Sequence, residues 1–340
     1  MNLRRSAIIG AAIVAGLAVL YTVFWFVAVG QARDIVLGWV AHRAAEGYHV
    51  RYRGIDTDGF PLRLRVTLTQ TSLGGPRPER PWRWDAERVV IELTPWNFRR
   101  YRLSSPGRHA VELIAGTEPL AAQGSVEDLT VDIDDAGDRA SAKLRVKALA
   151  LASNSDAIGL DELSVHARRL GVPTDHDTAS LALDVDGRNF RLPDRVVLPF
   201  GPEFGRFVLE AQVKGPLSGG PRVEALTAWR ESGGTLEIAK IELAHGPVIA
   251  AGTGTFALDP DLQPLAAFTA QVQGLLELVD GLARLGALRP RDAQTAKFVL
   301  GALGRRSDSG AFVHAVPVTI QDRRLYVGPI AIAPIPPIRW

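Results

Sequence analysis

Over residues 62–69 apolar and polar side chains alternate strictly, with Leu62, Leu64, Val66 and Leu68 set against Arg63, Arg65, Thr67 and Thr69. Successive side chains of a strand point to opposite faces, so the stretch predicts a strand that is apolar on one side. The same period of two recurs at Tyr48, Val50, Tyr52; at Val89, Ile91, Leu93; at Leu129, Val131, Ile133; and at Ala142, Leu144, Val146, Ala148. It continues at Leu181, Leu183, Val185 and at Phe207, Leu209, Ala211, Val213. Residues 236–243 and 248–258 read as two strands joined at His245-Gly246-Pro247, and 312–320 and 324–332 as closing strands.

Acidic and glycine turns punctuate these runs: Asp58-Gly59 within a turn over 54–61, Asp134-Asp135-Ala136-Gly137-Asp138, and Asp259-Pro260-Asp261. Strict alternation indicates sheets buried on one face and argues against a parallel α/β core. Helical spacing appears at Ile35, Val36, Trp39, Val40, with Gly47 as a stop. It returns at Leu275, Leu278, Val279, Leu282 and, past Arg289-Pro290-Arg291-Asp292, at Ala296, Val299, Leu300, Leu303. The fold class is therefore mainly β (α+β), with long, curved, mostly antiparallel sheets and a few helices.

The N-terminus follows neither period. After Arg4 and Arg5, residues 7–29 carry no charge, which satisfies the roughly 20 residues a helix needs to cross a ~30 Å hydrocarbon layer. Tyr21, Phe24, Trp25 and Phe26 crowd its far end, where aromatic rings prefer the interface. A cleaved signal peptide ending at Ala28-Val29-Gly30 is the rival, but its apolar region should run only about 7–15 residues. The arginines before the span place the N-terminus in the cytoplasm. The expected layout is a single-pass bacterial inner-membrane protein: anchor over 1–30, then a periplasmic body divided at the loop 215–221 into 31–214 and 215–340.

Composition changes little. Apolar residues make up 46% and charged ones 22% of the 340, which is ordinary for a folded chain. A formal charge of +2 with acids and bases interspersed gives nucleic-acid binding no support. The sequence has no cysteine and one methionine. One local exception is Trp96-Asn97-Phe98-Arg99-Arg100-Tyr101-Arg102, where aromatics and arginines interleave as at a headgroup boundary or an anionic partner. Trp96, Phe98, Arg99, Arg100 and Tyr101 are interface candidates; the plainer reading is a solvated loop or strand end.

Catalytic and ligand signatures are missing from the string. Gly252-Thr253-Gly254 lacks a third glycine and precedes a strand, so it reads as a relaxed strand or bulge. No two of the seven histidines stand four apart, as paired imidazoles on one helix face would. Asp175-His176-Asp177 reads as a polar loop. The acids from Asp132 to Asp138 miss the fifth and twelfth positions of a calcium loop, where Ala136 and Lys143 stand, and read as a hairpin turn. No metal, cofactor or catalytic residue is assigned.

The Gly59-Phe60-Pro61-Leu62-Arg63-Leu64 turn and strand behind an N-terminal anchor resembles a family of membrane-anchored alphaproteobacterial proteins, the domain-of-unknown-function family 2125. Trp229, Gly233-Gly234-Thr235-Leu236, His245-Gly246-Pro247, Gly252 to Asp259 and Arg324-Leu325-Tyr326-Val327-Gly328-Pro329 look like the C-terminal layout of AsmA-like envelope proteins. That second resemblance implies long curved sheets with an apolar inner face that move or accommodate lipid; no catalytic residues carry over.

An apolar strand face must be covered by a second sheet, a helix or an apolar ligand, because burial is worth about 25 cal/mol per Å². The helical pair near the C-terminus offers little cover for so many strands. The expectation is a groove holding the acyl chains of a phospholipid or similar lipid for envelope homeostasis. Its lipid-facing candidates are Leu62, Leu64, Val66, Leu68, Leu144 and Val146. The alternative is a scaffold that docks a protein partner through sheet edges, with no lipid ligand.

Overall fold

The computed structural model describes residues 2–77, 81–115, 118–153, 156–217, 219–306, 312–327, 330–338 and 340. Two compact units result, Met1–Asp134 and Asp135–Trp340. The division falls in the acidic segment after Asp134, whereas the loop 215–221 lies inside the second unit.

Unit 1 begins with one uninterrupted helix, α1 (Asn2–Ala45). It stops where Gly47 takes a φ of +85° and the amides of Gly47 and Tyr48 turn back to the carbonyls of Ala44 and Arg43. The strands follow as β1 (His49–Arg51), β2 (Gly54–Asp58), β3 (Leu64–Gly74), β4 (Trp82–Thr94), β5 (Asn97–Ser104), β6 (Gly107–Ala115), β7 (Glu118–Val126) and β8 (Asp128–Asp134). All pairings are antiparallel. β1 and β2 share β3 as partner, β3 pairs with β4, and β4 pairs with β5 along one end and β6 along the other. β7 then pairs with β6 and β8 with β5.

Unit 2 is a meander: β9 (Ser141–Ala152), β10 (Ala157–Arg169), β11 (Ala179–Arg191), β12 (Glu203–Lys214), β13 (Thr235–His245), β14 (Val248–Leu258) and β15 (Pro264–Gln273). Each pairs antiparallel with the next. The short β16 (Arg305–Arg306) and β15 both border β17 (Phe312–Gln321), which leads to β18 (Arg324–Val327) and β19 (Ile330–Pro334). Helix α2 (Arg222–Glu231) joins β12 to β13, and α3 (Leu275–Arg284) and α4 (Pro290–Leu303) form the helical pair.

The mainly β class, the long apolar N-terminal helix and the strands joined at His245-Gly246-Pro247 match the sequence reading. The turn expected over 54–61 is shorter: residues 54–58 form β2 and only the tip around Gly59 turns. An alanine at Gly59 would need a φ of +108° and would set its Cβ 2.7 Å from the Arg63 carbonyl oxygen, so the tip depends on glycine. After Asp134 the chain makes a single 3-10 turn, Gly137–Arg139, and β8 pairs with β5. The strands β6, β7, β10 and β15 and helix α2 have no counterpart in the sequence reading.

Candidate functional site

What covers the apolar face of β3 is the chain's own helix. Ala28, Ala32 and Val36 of α1 form one buried cluster with Leu64, Val66 and Leu68, and Leu64 and Val66 are 0% exposed. Residues four apart lie on one side of a helix, and the two alanines let the helix backbone approach the sheet closely. Trp25 is also buried and donates its indole N–H to the Arg63 carbonyl at 3.1 Å. Leu64, Val66 and Leu68, expected to face lipid, are therefore core residues under α1. Leu62 is 64% exposed on the tip before β3.

The interleaved aromatics and arginines do not form one patch. Phe98 packs against the cluster under α1, and the Arg100 guanidinium pairs with Asp134 at 2.8 Å. Arg102 pairs with Asp132 at 2.6 Å, which raises its pKa. Tyr101 is half-buried opposite Leu93 and Ile133. Trp96 and Arg99 are exposed beside the β4–β5 turn.

Unit 2 carries an apolar face of another kind. Strand register sets Leu144, Val165, Val185, Leu209 and Ile241 side by side across β9 to β13. The neighbouring row is Ala142, Ala167, Leu183, Ala211 and Ile238. The opposite face carries Lys143, His166, Asp184, Glu210 and Lys240 in the same order. Burial, ahead of repulsion from Arg168, lowers the His166 pKa. A register shift in β13 brings Ile238 and Ile241, three residues apart, to one side. Such a bulge bends the strand and strengthens its twist. Across from it lie Gly254 and Gly252, where a Cβ would meet the carbonyl oxygens of Ala267 at 2.4 Å and Thr269 at 2.6 Å. The Gly252-Thr253-Gly254 run is thus a strand relaxed beside a bulge.

All five side chains of the first row are part-exposed. None reaches the complete burial seen at Leu64, while in the neighbouring row Ala211 is 3% and Ile238 8% exposed. The ends of the face are better protected. Trp229 of α2 packs with Leu258, Leu262, Val213 and Phe256, and donates its indole N–H to the Lys214 carbonyl at 2.7 Å. Val279 of α3 is buried, and Gly281 approaches the Pro199 ring closely. Of the two unit 2 candidates, Leu144 belongs to the part-exposed row and Val146, opposite Leu163, is buried. Val165, Val185, Leu209 and Ile241 of this row were not among the candidates, although Leu163, Val165, Ala167 against Ser164, His166, Arg168 is the same alternation that marked β3.

Two other places hold polar groups. His109 is buried with Nε2 2.8 Å from the Ser105 carbonyl, and the Trp84 indole N–H donates to its Nδ1 at 3.1 Å. Nδ1 is thus the acceptor and Nε2 the donor, a neutral imidazole, and burial lowers its pKa. Asp175 accepts from the amides of Asp177 and Thr178 and from the Thr178 hydroxyl, which lowers its pKa and makes 175–178 a polar loop. Among the described residues, no cluster of three or more histidine or acidic side chains could hold a metal.

A family model described as an uncharacterized protein conserved in bacteria (DUF2125) matches residues 25–336. The chain belongs to that family. No curated protein and no solved structure matches it. In this DUF2125 protein the match opens at Trp25, the first described residue of α1 that is buried against the sheet.

Proposed function

We propose that the protein is anchored in the bacterial inner membrane by α1, holds its body in the periplasm, and binds an acyl-chain lipid on the apolar face of β9 to β13 without catalysing a reaction. The observation that carries this reading is the part-exposed row Leu144, Val165, Val185, Leu209 and Ile241, continuous across five strands and backed by a charged opposite face. Burying one such side chain is worth about 1.5–3 kcal/mol, so five left part-covered offer a hydrocarbon tail on the order of several kcal/mol. The resemblance to AsmA-like envelope proteins points the same way. The β3 face lends no support, because α1 fills it.

A photoactivatable phospholipid in cells expressing the full chain tests this. Crosslinked peptides are expected from β9 to β13 as well as from α1, and Leu209→Glu is expected to remove the former and spare the latter. Crosslinks confined to α1 would end the lipid reading. A stoichiometric protein partner crosslinked in their place would favour the scaffold.

A further inference from the structure

The tip between β2 and β3 is held against α1 at a definite level. The Tyr21 hydroxyl donates to the Pro61 carbonyl, and the Trp25 indole donates to that of Arg63. The Phe60 ring lies 6.3 Å from Tyr21 and meets Trp25 edge-on at 5.4 Å. The tip closes on itself through the Arg63 amide and the Gly59 carbonyl at 3.0 Å. Yet Phe60 is 53% and Leu62 64% exposed. Leu64 pairs with Leu93, so the β4–β5 turn ends at the same edge of unit 1, and there Trp96 is 60% exposed. Large apolar side chains bared together at one edge call for an occupant.

Helix geometry identifies that occupant. No charged side chain occurs over residues 6–32. Counting about 20 residues up from Arg5 for a ~30 Å hydrocarbon layer puts its upper boundary near Trp25. Helical side chains lean toward the N-terminus, so the Tyr21 hydroxyl, and Pro61 with it, sits at or below the level of the Tyr21 backbone. That is about 6 Å under Trp25 at 1.5 Å per residue. Phe24 and Phe26, one residue to either side of Trp25, are exposed on the helix, and the exposed arginines Arg63 and Arg99 follow Leu62 and Trp96 in the chain. Aromatic rings at the boundary with cations just outside it is the arrangement a phospholipid leaflet favours.

We infer that the Phe60-Pro61-Leu62 tip and Trp96 form a second membrane contact, which enters the boundary between headgroups and acyl chains in the leaflet from which α1 emerges. The inference rests on the reading of α1 as a span and adds to it that unit 1 sits on the bilayer rather than above it.

Because the chain has no cysteine, single variants of the full-length protein can each carry an environment-sensitive fluorophore at one known place. Phe60→Cys, Leu62→Cys and Trp96→Cys test the rim, Leu17→Cys tests the span, and Arg108→Cys, a strongly exposed side chain of β6, reports water. The protein is placed in nanodiscs of phosphatidylethanolamine and phosphatidylglycerol carrying a nitroxide-labelled lipid. Blue-shifted emission and loss of fluorescence to the nitroxide are expected at positions 17, 60, 62 and 96 and not at 108. Quenching at 17 with water-like emission at 60, 62 and 96 would overturn the rim contact and leave the span standing. Water-like emission at 17 as well would overturn both. Leu62 makes no ring contact and carries the test alone if loss of the Phe60 ring disturbs the tip.

Discussion

If α1 is part of the fold of unit 1, shrinking a side chain under it has a large cost and enlarging the facing alanine has a smaller one that compensates. Leu64 is 0% exposed against α1. Leu64→Ala removes a fully buried side chain and leaves a void, a change that costs about 2–5 kcal/mol where the walls cannot collapse. The helix backbone and the β3–β4 ladder wall this site, so the cost falls within that range. Ala28, 2% exposed in the same cluster, gains three carbons in Ala28→Leu, and overpacking of this kind costs about 1–3 kcal/mol. The double variant nearly conserves volume, and the two costs are expected to fall short of additivity by roughly 0.5–3 kcal/mol. Hydrogen exchange of the β3 amides, followed by mass spectrometry on the full chain in micelles, reads this directly. Tenfold in rate is about 1.4 kcal/mol, so Leu64→Ala should speed exchange by roughly 30-fold to several thousand-fold. An effect within about 0.5 kcal/mol, as for a surface substitution, would show that the helix does not lie on β3 and would refute the packing argument.

Three further outcomes follow from individual contacts. Gly59→Ala forces a residue with a Cβ to a φ of +108° beside the Arg63 oxygen and should cost about 1–3 kcal/mol, seen as faster exchange at the Arg63 amide. Trp229→Phe deletes the donor to the Lys214 carbonyl and should destabilise unit 2 by about 1–3 kcal/mol, measured by denaturant unfolding monitored at α2. His109, neutral and with a lowered pKa when folded, binds its proton more readily in the unfolded chain. Its contribution to unit 1 is fully present above the unfolded value of about 6.5 and is lost as pH falls through the lower folded value. Melts over that window should show stability rising with pH, and the slope should flatten in His109→Gln.

Much of the fold was legible because large apolar residues fill at least two successive positions of one face in β3, β9, β11 and β12. In β15 the same alternation is diluted by Ala266 and Ala270, and in β7 by Ala121, Ala122 and Gly124, whose small side chains give little contrast. Helix α2 has ten residues and one buried anchor, Trp229, too little for a 3.6-residue period to stand out. The cover over β3 was hidden for a different reason. Helical spacing past residue 30 continues the anchor, but the apolar segment reads as belonging to the bilayer, so the count of helices against strands left out the packing of Ala28, Ala32 and Val36 on β3. The rows of unit 2 are legible strand by strand, but their alignment depends on register, including the bulge in β13, which only the folded pairing fixes.

Helix α1 has 44 residues, contains no proline and passes from apolar segment to sheet without a break. It extends about 66 Å at 1.5 Å per residue. An anchor joined to its cargo by a loose tether lets the cargo wander; a continuous rod fused into a β-sheet makes the two turn together. A thicker or thinner bilayer alters the tilt of a spanning helix; with α1 as the proposed span, any such tilt must swing unit 1 by the same angle, as an oar moves with its shaft.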